Sequence, residues 1–174
     1  MYVGALGPGM LAAAGEVGDG VCLNLMPASV VAKQIAVARE GATKAGRELP
    51  ESFGVMARFH TVITDDLDAG RDIIRGAFGP YFAQPVYNRF LVWCGFEEVA
   101  EKVLEGFRAG DRAAVAAALT DDVVDAISLV GPVAAIGDRL VEFGEAGVTV
   151  GAINLLTGDP AAMADVLGRL ASNN

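Results

Sequence analysis

Short apolar runs alternate along this chain with stretches in which apolar residues recur every three or four positions. Tyr2 to Leu6 is a short run of the kind that forms a buried strand. Gly7, Pro8 and Gly9 break it before Met10, Leu11, Ala14 and Val17 recur at helical spacing. Gly20 to Leu25 predicts a second strand. After Pro27, the Ser29 hydroxyl can cap a helix carrying Val30, Val31, Ile35 and Ala38, with Gly46 as its stop. Phe53 to Ile63, rich in Val, Phe, Ile and Thr, predicts a third strand, and Thr64, Asp65 and Asp66 supply capping side chains for a helix through Ile73 and Ile74.

From Phe78 to Val130 the pattern becomes a helical excursion. An aromatic segment (Phe78, Tyr81, Phe82, Tyr87, Phe90, Trp93, Phe96) leads into helical pieces around Val99 to Phe107, Val115 to Leu119 and Val123 to Leu129. Gly131 and Pro132 then open a helix with Val133, Ile136, Leu140 and Phe143 on one face. Gly147 stops it, and Val148 to Leu156 predicts a fourth strand. Asp159 and Pro160 start a last helix through Met163, Val166, Leu167 and Leu170. Four strands, each followed by helix, imply an α/β fold with parallel pairing and right-handed crossovers. Periodicity leaves two architectures open, a small doubly wound sheet and half of an eight-stranded barrel. Without internal repeat or low-complexity linker, residues 1–174 are read as one domain.

Composition narrows the partners. With 13 Lys and Arg against 22 Asp and Glu, the formal charge of −9 opposes phosphate neutralisation, so nucleic acid is not an expected partner. Cys22 and Cys94 stand far apart, and His60 is the one histidine, so neither a structural metal nor a disulfide framework is expected. The opening residues lack the basic n-region of a signal peptide, and no run approaches the roughly 18 uninterrupted apolar residues of a membrane span. A reduced, cytoplasmic chain that does not engage a membrane is the expectation.

Four segments carry a family resemblance. Tyr2-Val3-Gly4-Ala5-Leu6-Gly7-Pro8 is similar to the fifth strand and following turn of luciferase-like monooxygenases, especially members that use the deazaflavin coenzyme F420. Gly18-Asp19-Gly20-Val21 with Leu23-Asn24 resembles their sixth strand, and Thr64-Asp65-Asp66 after an apolar strand resembles the end of their seventh. Leu129-Val130-Gly131-Pro132, the helix to Glu145-Ala146-Gly147-Val148 and the apolar strand beyond resemble their seventh helix and eighth strand. The matches occur in family order. What the resemblance implies is the C-terminal half of a (β/α)8 TIM barrel, strands five to eight, with the excursion at about 78–130 as an insertion before the seventh helix. It also implies oxidoreductase or monooxygenase chemistry on a small-molecule substrate, with F420 as cofactor and FMN as the alternative. Strands one to four, which in the family hold much of the flavin ring, have no counterpart.

Small residues in the turn from Gly4 to Gly9 expose backbone N–H groups at the positive end of the next helix, which suits a phosphate. A tight connection that needs glycine for steric reasons would show the same residues. The resemblance assigns cofactor binding to Gly4, Ala5, Leu6 and Gly7. His60 has the ordinary pKa of a neutral-pH acid or base, yet no nucleophile accompanies it and a packed, hydrogen-bonded histidine is the expectation. Asn24 and Thr157 follow their strands, either at a ligand-binding mouth or simply as turn residues. Asp65 and Asp66 are expected as helix caps and Cys22 as a small buried group. The aromatic segment either lines a substrate pocket or covers the core of the excursion. No residue is assigned a catalytic role.

Three functions remain at this level: an F420- or flavin-dependent oxidoreductase, a half-barrel binding or assembly module, and a truncated product with little activity. A half-barrel would leave Tyr2 to Leu6 and Val148 to Leu156 as sheet edges. It would also expose a large apolar inner face. The expected response is a homodimer, or association with a partner that supplies the missing half.

Overall fold

The first strand, β1 (Tyr2–Gly4), is only three residues long. Its ladder closes with one further bond, from the Ala5 N–H to the Cys22 carbonyl at 3.0 Å, before Gly7 and Pro8 turn the chain into α1 (Pro8–Val17). The remaining elements are β2 (Gly20–Asn24), a 3-10 turn at Ala28–Val30, α2 (Val31–Lys44) and the long strand β3 (Gly54–Ile63). The excursion follows as α3 (Leu67–Phe82), α4 (Pro85–Trp93), α5 (Glu97–Arg108), α6 (Arg112–Ala118) and α7 (Asp121–Ile127). The chain returns through β4 (Leu129–Gly131), α8 (Val133–Glu145) and β5 (Val150–Leu155). This computed structural model describes residues 1–156, 164, 165 and 167–169. Residues 164, 165 and 167–169 are helical, while the expected cap at Asp159 and Pro160, and Thr157, lie outside the described residues.

Every strand pairing is parallel. β1 pairs with β2 and β2 with β3. β2 and β5 both lie opposite Met56 to Arg58 and must therefore occupy opposite edges of β3. Thr61 is opposite both Leu129 and Leu155, so β4 and β5 are also on opposite edges. It follows that β4 extends the β2 edge beyond Asn24. Among the described residues, β1 and β5 each have one paired neighbour and form the two margins of the sheet. β4 is a fifth strand where four were expected. Its three residues are too few to show alternation, and Gly131 (φ 144°) with Pro132 resembles a bare helix start.

Helices α1, α2 and α8 cover one face of the sheet. Val21, Leu23, Val55, Ala57 and Phe59 pack there with Leu11, Ala14, Val31, Ala38, Ile136 and Phe143, and the Phe59 and Phe143 rings meet edge-on at 4.7 Å. α1 and α2 touch backbone to backbone: a Cβ at Gly15 would lie 1.7 Å from the Ala38 carbonyl oxygen, and one at Gly41 2.1 Å from that of Ala12. Only glycine fits these crossings.

The alternate residues of the same strands, among them Cys22, Asn24, Met56, Arg58, His60, Ala152 and Asn154, point to the opposite face. Instead of the apolar surface expected there, the level around Arg58 and His60 is polar. Cys22 lies on this face, half-buried, and not in the core. Tyr2 covers the face's N-terminal end, where a Cβ at Gly54 would fall 1.9 Å from its hydroxyl oxygen. The C-terminal end is roofed by the excursion, whose own core joins Val62 and Leu25 to Ile74, Phe78, Phe82, Leu91 and Val124. Buried Asn88 donates from Nδ2 to the Phe82 and Ala100 carbonyls (3.1 and 2.8 Å), tying α4 to α3 and α5. The Arg71 guanidinium donates to both carboxylate oxygens of Asp125 (3.0 and 2.6 Å), clamping α3 to α7.

Candidate functional site

Because the strands are parallel, the β1 turn, Asn24, the end of β3 and the end of β5 all lie along one edge of the sheet. This is where ligands bind in folds of this kind. The turn after β1 forms one part of it. Gly7 is the N-cap of α1, no side chain among the described residues caps the helix, and Pro8 at the first helical position has no N–H. The first-turn N–H groups of Gly9 and Met10 are left to an outside acceptor. Gly7 has an ordinary extended backbone (φ −102°, ψ 171°), and a Cβ at Gly4, Gly7 or Gly9 would meet nothing within 4 Å. Neither conformation nor this chain's packing demands glycine there, which removes the steric explanation. What the glycines do is keep the helix N-terminus open.

The second part is a polar cluster across three strands. His60 on β3 is opposite Asn154 on β5, and Asn24 ends β2 two residues below. Asn154 Nδ2 donates to His60 Nδ1 at 2.9 Å, so His60 Nε2 carries the proton and donates to Asn24 Oδ1 at 3.0 Å. His60 is 3% exposed, with the Phe78 ring tilted over it at 4.2 Å between centroids. Burial, helped by the nearby Arg58 guanidinium, lowers its pKa to about 4, so the imidazole is neutral at pH 7 and holds one tautomer. Phe78, Tyr81 and Tyr87 rise from α3 and α4, Phe78 tilted against Tyr81 at 5.8 Å between centroids and Tyr81 edge-on to Tyr87 at 5.6 Å. Together with Asn24, Leu25, Arg58, His60 and Asn154 they line a cavity of about 180 Å³. A larger hollow of about 750 Å³ lies between α8 and β5 on the helix-bearing side, bordered by Phe59, Leu140 and Leu167, remote from this chemistry.

The model of the luciferase-like monooxygenase family matches residues 1–150. The chain belongs to this family. It is 33% identical over 157 residues to a 5,10-methylenetetrahydromethanopterin reductase of Archaeoglobus fulgidus, covering 86% of this chain and 46% of that protein. A reductase of the same description from Methanopyrus kandleri is 31% identical over 150 residues, covering 85% and 42%. The solved coenzyme F420-dependent tetrahydromethanopterin reductase from Methanopyrus kandleri superposes with a TM-score of 0.74 at 26% identity, over 97% of this chain and 48% of that one. The chain thus spans about half the length of the curated relatives it matches.

Within this luciferase-like fold, the residues singled out in the sequence sort clearly. Asn24 and His60 come together, and the aromatic segment both lines their cavity, through Phe78, Tyr81 and Tyr87, and fills the excursion's core, through Phe82 and Phe96, while Phe90 and Trp93 pack into the main core. Asp66 is a cap, accepting from the Ala69 N–H at 3.0 Å, and Asp65 is exposed. Among the described residues no group of His, Cys, Asp and Glu is arranged to hold a metal. Arg58 and Asn154 were not anticipated. Their signal was polar residues at alternate positions of otherwise apolar strands, which marks a face that is not core.

Proposed function

We propose that this chain is the cofactor-phosphate-bearing half of an F420-dependent oxidoreductase acting on a small-molecule substrate. The observation that carries the reading is the uncapped N-terminus of α1, held open by three glycines with free space where their side chains would be. In this role the turn Gly4, Ala5, Leu6 and Gly7 cradles the cofactor's phosphate, with Gly4 and Gly7 permitting close backbone approach and the Gly9 and Met10 N–H groups donating, since the Ala5 N–H is already bonded to the Cys22 carbonyl. When bound, F420 supplies hydride transfer. The chain's residues bind and orient it, and the aromatic roof from α3 and α4 excludes water from the sheet edge. FMN satisfies the same turn, and the F420 preference rests on the reductases named above.

The reading takes the sheet as strands five to eight of an eight-stranded barrel. Its support is the marginal position of β1 and β5, the polar face of β3 opposite the helices, and relatives of about twice the length. The first four strands would close the barrel and complete the site. The competing reading is a half-barrel assembly module without redox activity. Titrating F420 and FMN against the chain alone, and against the chain co-expressed with the first half of a full-length relative, separates them. F420 binding only in the co-expressed complex is the expected result. Tight, saturable FMN binding by the chain alone would overturn both the F420 preference and the half-site reading.

A further inference from the structure

The cavity over His60 has a polarity that selects its ligand. The hydrogen-bond chain from Asn154 through His60 to Asn24 runs one way, because a neutral imidazole offers one donor and one acceptor. It consumes the Asn24 carbonyl oxygen and leaves both N–H groups of that amide as donors. Arg58 is the register partner of Asn24, is exposed, and lines the same cavity. Among the described residues no carboxylate pairs with it. A guanidinium and an oriented amide therefore line one cavity with no acid among the described residues to answer them. The walls beside them are flat: the rings of Phe78, Tyr81 and Tyr87. At about 180 Å³ the cavity has room for one six-membered ring, since a void of about 150 Å³ is enough to hold benzene.

We propose that this cavity is a subsite for a planar ring bearing a carboxylate, with the carboxylate on Arg58 and the Asn24 amide and the ring against Tyr81 and Tyr87. His60 is a positioning residue that fixes which end of the Asn24 amide faces the ligand. The inference deepens the oxidoreductase reading and rests on it for the ring being that of the substrate, but binding itself requires no cofactor.

Benzoate titrated into the whole chain, followed by NMR of the Arg58 Nε–H and Asn24 side-chain amide, tests this. Both signals should shift saturably, and benzamide should bind at least about tenfold more weakly, because a charge-assisted pair is roughly twice as strong as a neutral one. Arg58→Gln should bring benzoate down to the benzamide level. His60→Gln, which can keep both hydrogen bonds, should retain binding, whereas His60→Leu should weaken it and move the Asn24 amide signal before any ligand is added. Absence of saturation, equal affinity for the two probes, or unchanged benzoate binding in Arg58→Gln would each overturn the proposal. Repeating the titration in the co-expressed complex, with and without F420 bound, distinguishes the ring's source. An unchanged benzoate affinity supports a substrate subsite, and displacement of benzoate by F420 overturns that assignment in favour of the cofactor's own ring. Benzoate binding with no F420 binding in any assembly would sink the oxidoreductase reading and leave the anion subsite standing.

Discussion

The two faces of β3 carry opposite tasks on alternate residues. Val55, Ala57 and Phe59 face the helices and are buried in the main core, while Met56, Arg58 and His60 face the other way. On the helix side, stability depends on close-packed volume, down to glycines that let α1 and α2 touch. On the other side, at the level of Arg58 and His60, hydrogen-bond direction is an added constraint, because a reversed amide at Asn24 or Asn154 would leave the imidazole mismatched. A strand in such a fold can therefore be altered on one face for stability and on the other for binding, with little crosstalk.

The sharpest break in this contrast should come from Phe59→Ala. It removes the ring against Phe143 and should cost about 3–5 kcal/mol of unfolding free energy in a urea titration, in the range of buried Phe truncations. A loss below about 1 kcal/mol would show that the helix-side core is loosely packed. A smaller effect is expected from pH at His60. Folded, it is neutral down to about pH 4, whereas in the unfolded chain it protonates below its ordinary pKa of about 6.5. Protons therefore favour the unfolded state as pH falls from 6.5 to 4. Across that window the protein should lose roughly 2–3 kcal/mol relative to His60→Gln, which keeps the hydrogen bonds but cannot titrate. Parallel stability profiles for the two proteins would refute a buried neutral imidazole. The smallest change should be Arg58→Gln, an exposed position whose stability effect should stay within about 0.5 kcal/mol while anion binding falls. A large destabilisation would place Arg58 among the structural residues instead.

Much of the fold was legible because its signals are local. The glycine stops at Gly46 and Gly147 have positive φ (74° and 115°), Asp66 caps its helix, and the helical excursion falls where the pattern changes. Strand ends were less legible. β5 starts at Val150, two residues later than expected, because Thr149 accepts the Val55 N–H through its hydroxyl at 2.9 Å in place of a ladder bond. α3 runs on to Phe82 through Pro80, so residues read as the start of an aromatic segment belong to its last turns. The site was half visible. Turn chemistry and the lone histidine stand out in one dimension, but the partnership of Asn24, His60 and Asn154 exists only through strand register, which separates them by 36 and 94 residues in sequence.

The central claim is that the turn from Gly4 to Gly7 holds the cofactor's phosphate, and Gly7→Val tests it most directly. The backbone at Gly7 is extended and the space beyond it is open, so the variant should fold, losing no more than about 1 kcal/mol from valine at the N-cap. In the assembly that binds F420, its affinity measured by fluorescence titration should fall at least about tenfold, equivalent to the roughly 1.4 kcal/mol of one charge-assisted contact, while His60→Ala should change it far less. A folded Gly7→Val protein with undiminished F420 affinity would contradict the phosphate site.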